Sequence, residues 1–167
     1  MSIMHKEMFG INETLAKEIL EVALSTGGDF AEVYMEKTTN EVLSLHSGKL
    51  STANVSKVKG AAIRIIKGEL EVNSSITDCT YENLLKAAKT LAGSFNDKKH
   101  VEVQPFVEKK VELVVNPKNV RGNDISREVN LLKTASDTIY AYSKEIVQVI
   151  CNLTKTEKRI FVFASDS

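Results

Sequence analysis

The sequence predicts an α+β fold with antiparallel sheet, on three observations. Strand-like segments follow one another across links too short for a helical crossover, which makes antiparallel pairing the natural arrangement. Three longer stretches instead carry apolar residues at helical spacing, giving two consecutive helix-plus-strand blocks without an internal repeat. Gly60 and Gly68 bracket a strand rather than precede a helix, which argues against a doubly wound nucleotide fold.

The first helix is expected over 12–25. Asn12 can cap it, and Ile11, Leu15, Ile19, Val22 and Ala23 fall on one face. Gly27 and Gly28 should stop it. Strands are expected over 30–37 and 41–46, then a turn at Ser47-Gly48, then 49–58. The most strand-like segment is 60–67, where Ile63, Ile65 and Ile66 mark burial and Arg64 should face the other way. A further strand covers 70–76. Thr80 caps a second helix whose stripe is Leu84, Leu85, Ala88, Leu91, Ala92 and Phe95. Residues 101–103 and 107–115 are weaker strand candidates around Pro105, and Asn116-Pro117 with 122–124 marks a loop. A third helix covers 126–142, with Val129, Leu132, Ser136, Ile139 and Tyr140 on one face. Residues 146–153 and 159–164 read as a terminal hairpin across 154–158. Ile63, Ile65, Leu84, Leu85, Leu91 and Ile139 are the expected core, with the helix after Thr80 packed on the sheet containing Ile63.

At 167 residues the chain suits a single domain over 1–167, with a possible subdivision into 1–97 and 98–167. A hydrophobic share of 43% and a charged share of 26% are ordinary for a globular protein. Lys plus Arg and Asp plus Glu both number 22, so no general attraction to nucleic acid is expected. The amino terminus shows no secretory h-region, and no apolar run approaches the roughly 18 residues of a membrane span. Cys79 and Cys151 have no Cys-x-x-Cys spacing and read as reduced thiols. A cytoplasmic location, without membrane or nucleic-acid partners, is the expectation.

A hydrolytic zinc site needs about three protein ligands and an open position. His5, His46 and His100 are the available histidines; none begins a His-Glu pair, and no two lie within one helical turn. No metal, catalytic or cofactor-binding residue is therefore assigned. No Gly-x-Ser-x-Gly elbow occurs, and neither cysteine has an adjacent basic partner. Arg64 is the one charged residue inside an apolar strand. It could hold a peptide carboxylate or carbonyl in a substrate channel. The simpler role is a structural ion pair with Glu32, Glu41 or Glu71 on the open sheet face. Lys98-Lys99 and Lys109-Lys110 read as solvated loop and strand-edge charges.

One ordered series runs from Gly27 to Leu91: Gly27-Gly28-Asp29-Phe30-Ala31-Glu32-Val33-Tyr34, the turn Ser47-Gly48-Lys49, the strand from Gly60 to Gly68, and the helix from Thr80. It resembles the amino-terminal half of the TldD/PmbA family, also called the modulator-of-DNA-gyrase family, with weaker agreement over 126–164. The resemblance implies a cytoplasmic, dimeric zinc metallopeptidase, a protease that trims or degrades small or unfolded peptides. Its amino-terminal domain would help enclose the chamber and build a homodimer or a TldD/PmbA-type heterodimer. The family's His-Glu-x-x-x-His motif does not occur in this chain, so no ligand is carried over and the chain alone should be inactive. The segment Ser75-Ile76-Thr77-Asp78-Cys79 matches the family only loosely. The stop straight after 161–164 suggests truncation and an apolar edge that further chain would cover. Two alternatives stay open: a PmbA-like partner subunit without zinc ligands, and a stand-alone domain that binds peptides by strand addition.

Overall fold

In the computed structural model, which describes residues 9–107 and 124–166, the elements run α1 (Glu13–Ala23), β1 (Phe30–His46), β2 (Lys49–Lys67), β3 (Leu70–Ile76), α2 (Tyr81–Ala92), α3 (Ile125–Tyr142) and β4 (Ile150–Ala164). The strands form one sheet in the order β3-β2-β1-β4. Ser47 and Gly48 join β1 to β2 with φ of 50° and 75°, the paired left-handed conformation that suits a tight hairpin. β2 and β3 are antiparallel from Ala61↔Ile76 to Lys67↔Leu70. β4 returns antiparallel to β1: Ser165 N–H donates to the Ala31 carbonyl, and Ser47 N–H donates to the Val149 carbonyl. The α+β class with antiparallel sheet is the observed one.

Several expected strands are longer than the sequence suggested. The pieces 30–37 and 41–46 are one strand, β1, because Thr38 and Thr39 between them are β-branched and sit easily in extended backbone. The pieces 49–58 and 60–67 are likewise one strand, β2, through Gly60. The expected terminal hairpin does not form. Residues 154–158 offer no Gly, Asn, Asp or Pro to reverse the chain, and they continue straight through β4. Residues 101–103 are irregular rather than a strand, as is Val107. The remainder of the 107–115 candidate lies outside the described residues, together with His5, Lys109-Lys110, Asn116-Pro117 and 122–123.

The chain divides into two compact units, each assembled from separate stretches: 1–37, 59–111 and 159–167 in the first, 38–58 and 112–158 in the second. In the first unit, strand alternation turns Ala31, Val33 and Met35 of β1 and Ala61, Ile63 and Ile65 of β2 inward. α1 lays Ala16, Ile19, Leu20 and Ala23 in the same cluster as Leu84, Ala88 and Leu91 of α2. Asn12 caps α1, accepting from Leu15 N–H at 2.9 Å, and Thr80 caps α2. α1 ends at Leu24, ahead of the glycine pair; Gly27, at φ +94°, instead shapes the loop that follows. Cys79 is buried here, and burial pushes its thiol pKa up.

In the second unit a smaller cluster gathers Leu43, Leu45 and Leu132, with Val129, Cys151 and Leu153 packed against it. α3 buries only the line Glu128, Leu132 and Ser136, at intervals of four. Ile139 lies off that line and is 42% exposed, contrary to its expected place in the core. Leu85 of α2 is half-buried, whereas Ile63, Ile65, Leu84 and Leu91 are buried as expected.

Candidate functional site

Because Ile63 and Ile65 face the core, Arg64 between them must point to the opposite face of the sheet. Glu32 of β1 and Glu71 of β3 reach the same place. Arg64 Nε stands 3.0 Å from Glu32 Oε1, and Nη1 stands 3.6 Å from Glu71 Oε2. The guanidinium carbon lies 5.9 Å from the Phe30 ring centroid, a cation–π contact. The Nε–Oε1 pair lacks hydrogen-bond alignment, so it is a charge contact rather than a directed bond. Glu41, the third partner considered for Arg64, pairs instead with Lys155. Nearby on β1, Tyr34 O–H donates to Glu36 at 2.5 Å, which raises the phenol's pKa. Arg64 is thus shared by two carboxylates. With its side chain 39% exposed, the arrangement holds three strands in register at modest energy.

A second cluster of the first unit was not visible in the sequence. Asp29 accepts Gly68 N–H at 2.6 Å and lies 2.8 Å from His100 Nε2. Lys67 Nζ pairs with Asp97 at 2.9 Å, and Asp97 also accepts Lys98 N–H at 2.8 Å. The Gly68 N–H, then His100, holds the Asp29 pKa below the usual carboxylate value. Lys67, then the Lys98 N–H, does the same for Asp97. The Asp29 carboxylate in turn lifts the His100 imidazole above its ordinary value. Lys99, expected to be a solvated loop charge, pairs with both Glu21 and Glu102.

In the second unit Lys155 projects from β4 between Glu41, at 2.5 Å, and Glu128, at 2.9 Å. Its side chain is only 13% exposed and that of Glu128 only 8%. A pair this dry resists removal of one partner more than it adds net stability. The Glu41 carboxylate, followed by Glu128, raises the lysine's pKa. At the β1–β2 turn His46 Nε2 lies 2.5 Å from Gln148 Nε2, and Tyr140 O–H donates to Ser47 Oγ at 3.1 Å.

The histidines thus have other engagements. His46 meets an amide and His100 a single carboxylate, while His5 lies outside the described residues. Among the described residues no group of three or more His, Cys, Asp or Glu side chains is placed to hold a metal ion. No helix among the described residues is long and apolar enough to cross a membrane.

The described residues thus form an antiparallel sheet packed with helices, its open face carrying ion pairs. Residues 31–94 match the family model for PmbA/TldA metallopeptidase domain 1. The fold is similar to a candidate modulator of DNA gyrase from Bacteroides thetaiotaomicron, at 16% identity and a TM-score of 0.70 over 92% of this chain and 36% of that one. It is also similar to a candidate modulator of a DNA gyrase from Thermotoga maritima, at 17% identity and a TM-score of 0.60 over 90% and 35%. TldE from Thermococcus kodakarensis follows at 14% identity and a TM-score of 0.52 over 90% and 34%. The chain therefore spans between 34% and 36% of the length of these solved proteins. No curated protein matches it in sequence.

Proposed function

We propose that this chain serves as the amino-terminal, non-catalytic domain of a TldD-like zinc metallopeptidase that processes or degrades small or unfolded peptides. The match of residues 31–94 to the first domain of a metallopeptidase family carries the reading. The donor sets at His46 and His100 support a division of labour, since neither can supply the three ligands of a hydrolytic zinc. The domain's part is then architectural: it helps enclose a chamber and build a homodimer or a TldD/PmbA-type heterodimer in the cytoplasm. Zinc and the chemistry belong to a region bearing His-Glu-x-x-x-His, a motif this sequence lacks.

Metal analysis after dialysis, with a casein-peptide digestion assay, tests the proposal on the purified chain. Less than stoichiometric zinc and no cleavage are expected. One retained zinc per chain, or cleavage abolished by a chelator, would overturn it. A second reading, the first domain of a PmbA-like partner subunit, draws on the same match, since the family model covers PmbA as well as TldA. The residues encoded beyond Ser167 separate the two: His-Glu-x-x-x-His marks the peptidase, and a long continuation without it marks the partner subunit.

A further inference from the structure

The segment leaving α2, residues 93–107, has no regular strand or helix, yet it is fastened along its length within the first unit. Asp97 N–H donates to the Thr26 carbonyl at 3.2 Å, and Gln104 N–H donates to the Ser165 carbonyl at 2.9 Å. Val103 is buried, and the Phe106 ring lies 5.1 Å from that of Phe163. His100 stands in the middle of this strap. Its Nε2 is 2.8 Å from Asp29 Oδ1, and its Nδ1 is 3.3 Å from the Lys98 carbonyl oxygen.

Both of those partners accept and neither donates. A carbonyl has no proton to give, and Asp29 is an ionised carboxylate that already takes the Gly68 N–H. A neutral imidazole carries one N–H and satisfies one of the two contacts; the imidazolium satisfies both. We propose that His100 is a proton-operated latch on the strap. Charged, it ties residues 98–100 to the loop ahead of β1; neutral, it gives up one contact and the strap loosens locally.

The charged groups around it favour the closed state. Asp29 touches the ring, and Asp97 adds attraction from the same segment. Of the cations nearby, Lys67 at the end of β2 is matched by Asp97 and Lys99 by Glu21 of α1 and by Glu102, while the Lys98 side chain is exposed to solvent. Release therefore falls above the ordinary histidine range, in accord with the raised proton affinity of the ring.

NMR titration of the His100 ring, with hydrogen exchange at Asp97 and Gln104 N–H across the same pH range, tests the latch on the full chain. Protection factors, corrected for intrinsic exchange, should fall several-fold as the ring loses its proton, on the same midpoint as the ring titration. In Asp29→Asn the ring should titrate lower, and in His100→Gln the pH-linked fall should vanish. Protection that ignores the ring titration in the unaltered chain, or that changes identically in His100→Gln, would overturn the proposal.

Discussion

A methyl group added at Gly28 would stand 2.7 Å from Ile65 Cγ2 and 3.2 Å from Leu24 Cδ2. Ile65 is fully buried and β-branched, so its methyl has nowhere to retreat. Gly28→Ala should therefore cost about 1–3 kcal/mol, read as a lower urea midpoint at unchanged slope. Leu84, fully buried on α2, makes the converse case. Leu84→Ala should cost about 2–5 kcal/mol, and a loss under about 0.5 kcal/mol would mean that α2 presents another face to the core. At this scale the sequence was uneven as a guide. Arg64 stood out because a charge interrupts an isoleucine-rich strand, and alternation alone assigned its face. The Asp29–His100 pair left no comparable trace, since its partners are 71 positions apart and join through irregular backbone. Ile139 misled for the opposite reason: helical spacing shows which residues could share a face, but not how narrow the contact line will be.

The first two helices announced their starts through their caps, which differ in quality, whereas Asp124, the cap of α3, was read only as part of a loop. Asn12 accepts Leu15 N–H at 2.9 Å, whereas Thr80 accepts Asn83 N–H at a long 3.4 Å. Asn83 also draws support from Asp78, whose carboxylate accepts from its side-chain amide at 3.0 Å. Asn12→Ala should accordingly cost about 1–2 kcal/mol and Thr80→Ala about 0.5 kcal/mol, measured by denaturant unfolding. Equal losses would show that the cap distances do not set the ranking. Turns were legible where chemistry demands special residues, as at Ser47-Gly48 with its positive φ angles. Strand lengths were not. Local polarity at 38–40 and 154–158 looks like a loop in the sequence, but those polar side chains are matched across the sheet: Thr156 donates to Asn40 at 2.8 Å, and Lys155 meets Glu41. Such pairing depends on strands distant in sequence, which no local window contains.

For the whole molecule, pH acts through opposing groups. Asp29 and Asp97 have lowered pKa values when folded, so their stabilisation is present above the unfolded carboxylate range and is lost as pH falls through the folded values. His100 is raised, so its share is full below the unfolded histidine value and is lost as pH rises through the folded one. Stability should therefore be flattest between those limits, and Asp97→Asn should shallow the acid side of a thermal-melting profile; an unchanged acid slope would remove Asp97 from the account. Association is the other property of the whole chain. Phe163 is buried against Phe106, and Phe161 meets Phe9 edge-on at 6.3 Å, so neither phenylalanine supplies the exposed apolar surface of β4. That surface is Ile160, 47% exposed, and Val162, 51% exposed, two residues apart on one face of β4. A formal net charge of zero provides no long-range repulsion between copies. Exposed apolar side chains side by side on a strand invite a second copy, and a lysine among them opposes it. Light scattering across a concentration series should show a rising apparent mass for the unaltered chain and a lower one for Val162→Lys. A constant monomer mass at high concentration would mean that these side chains do not recruit a second copy.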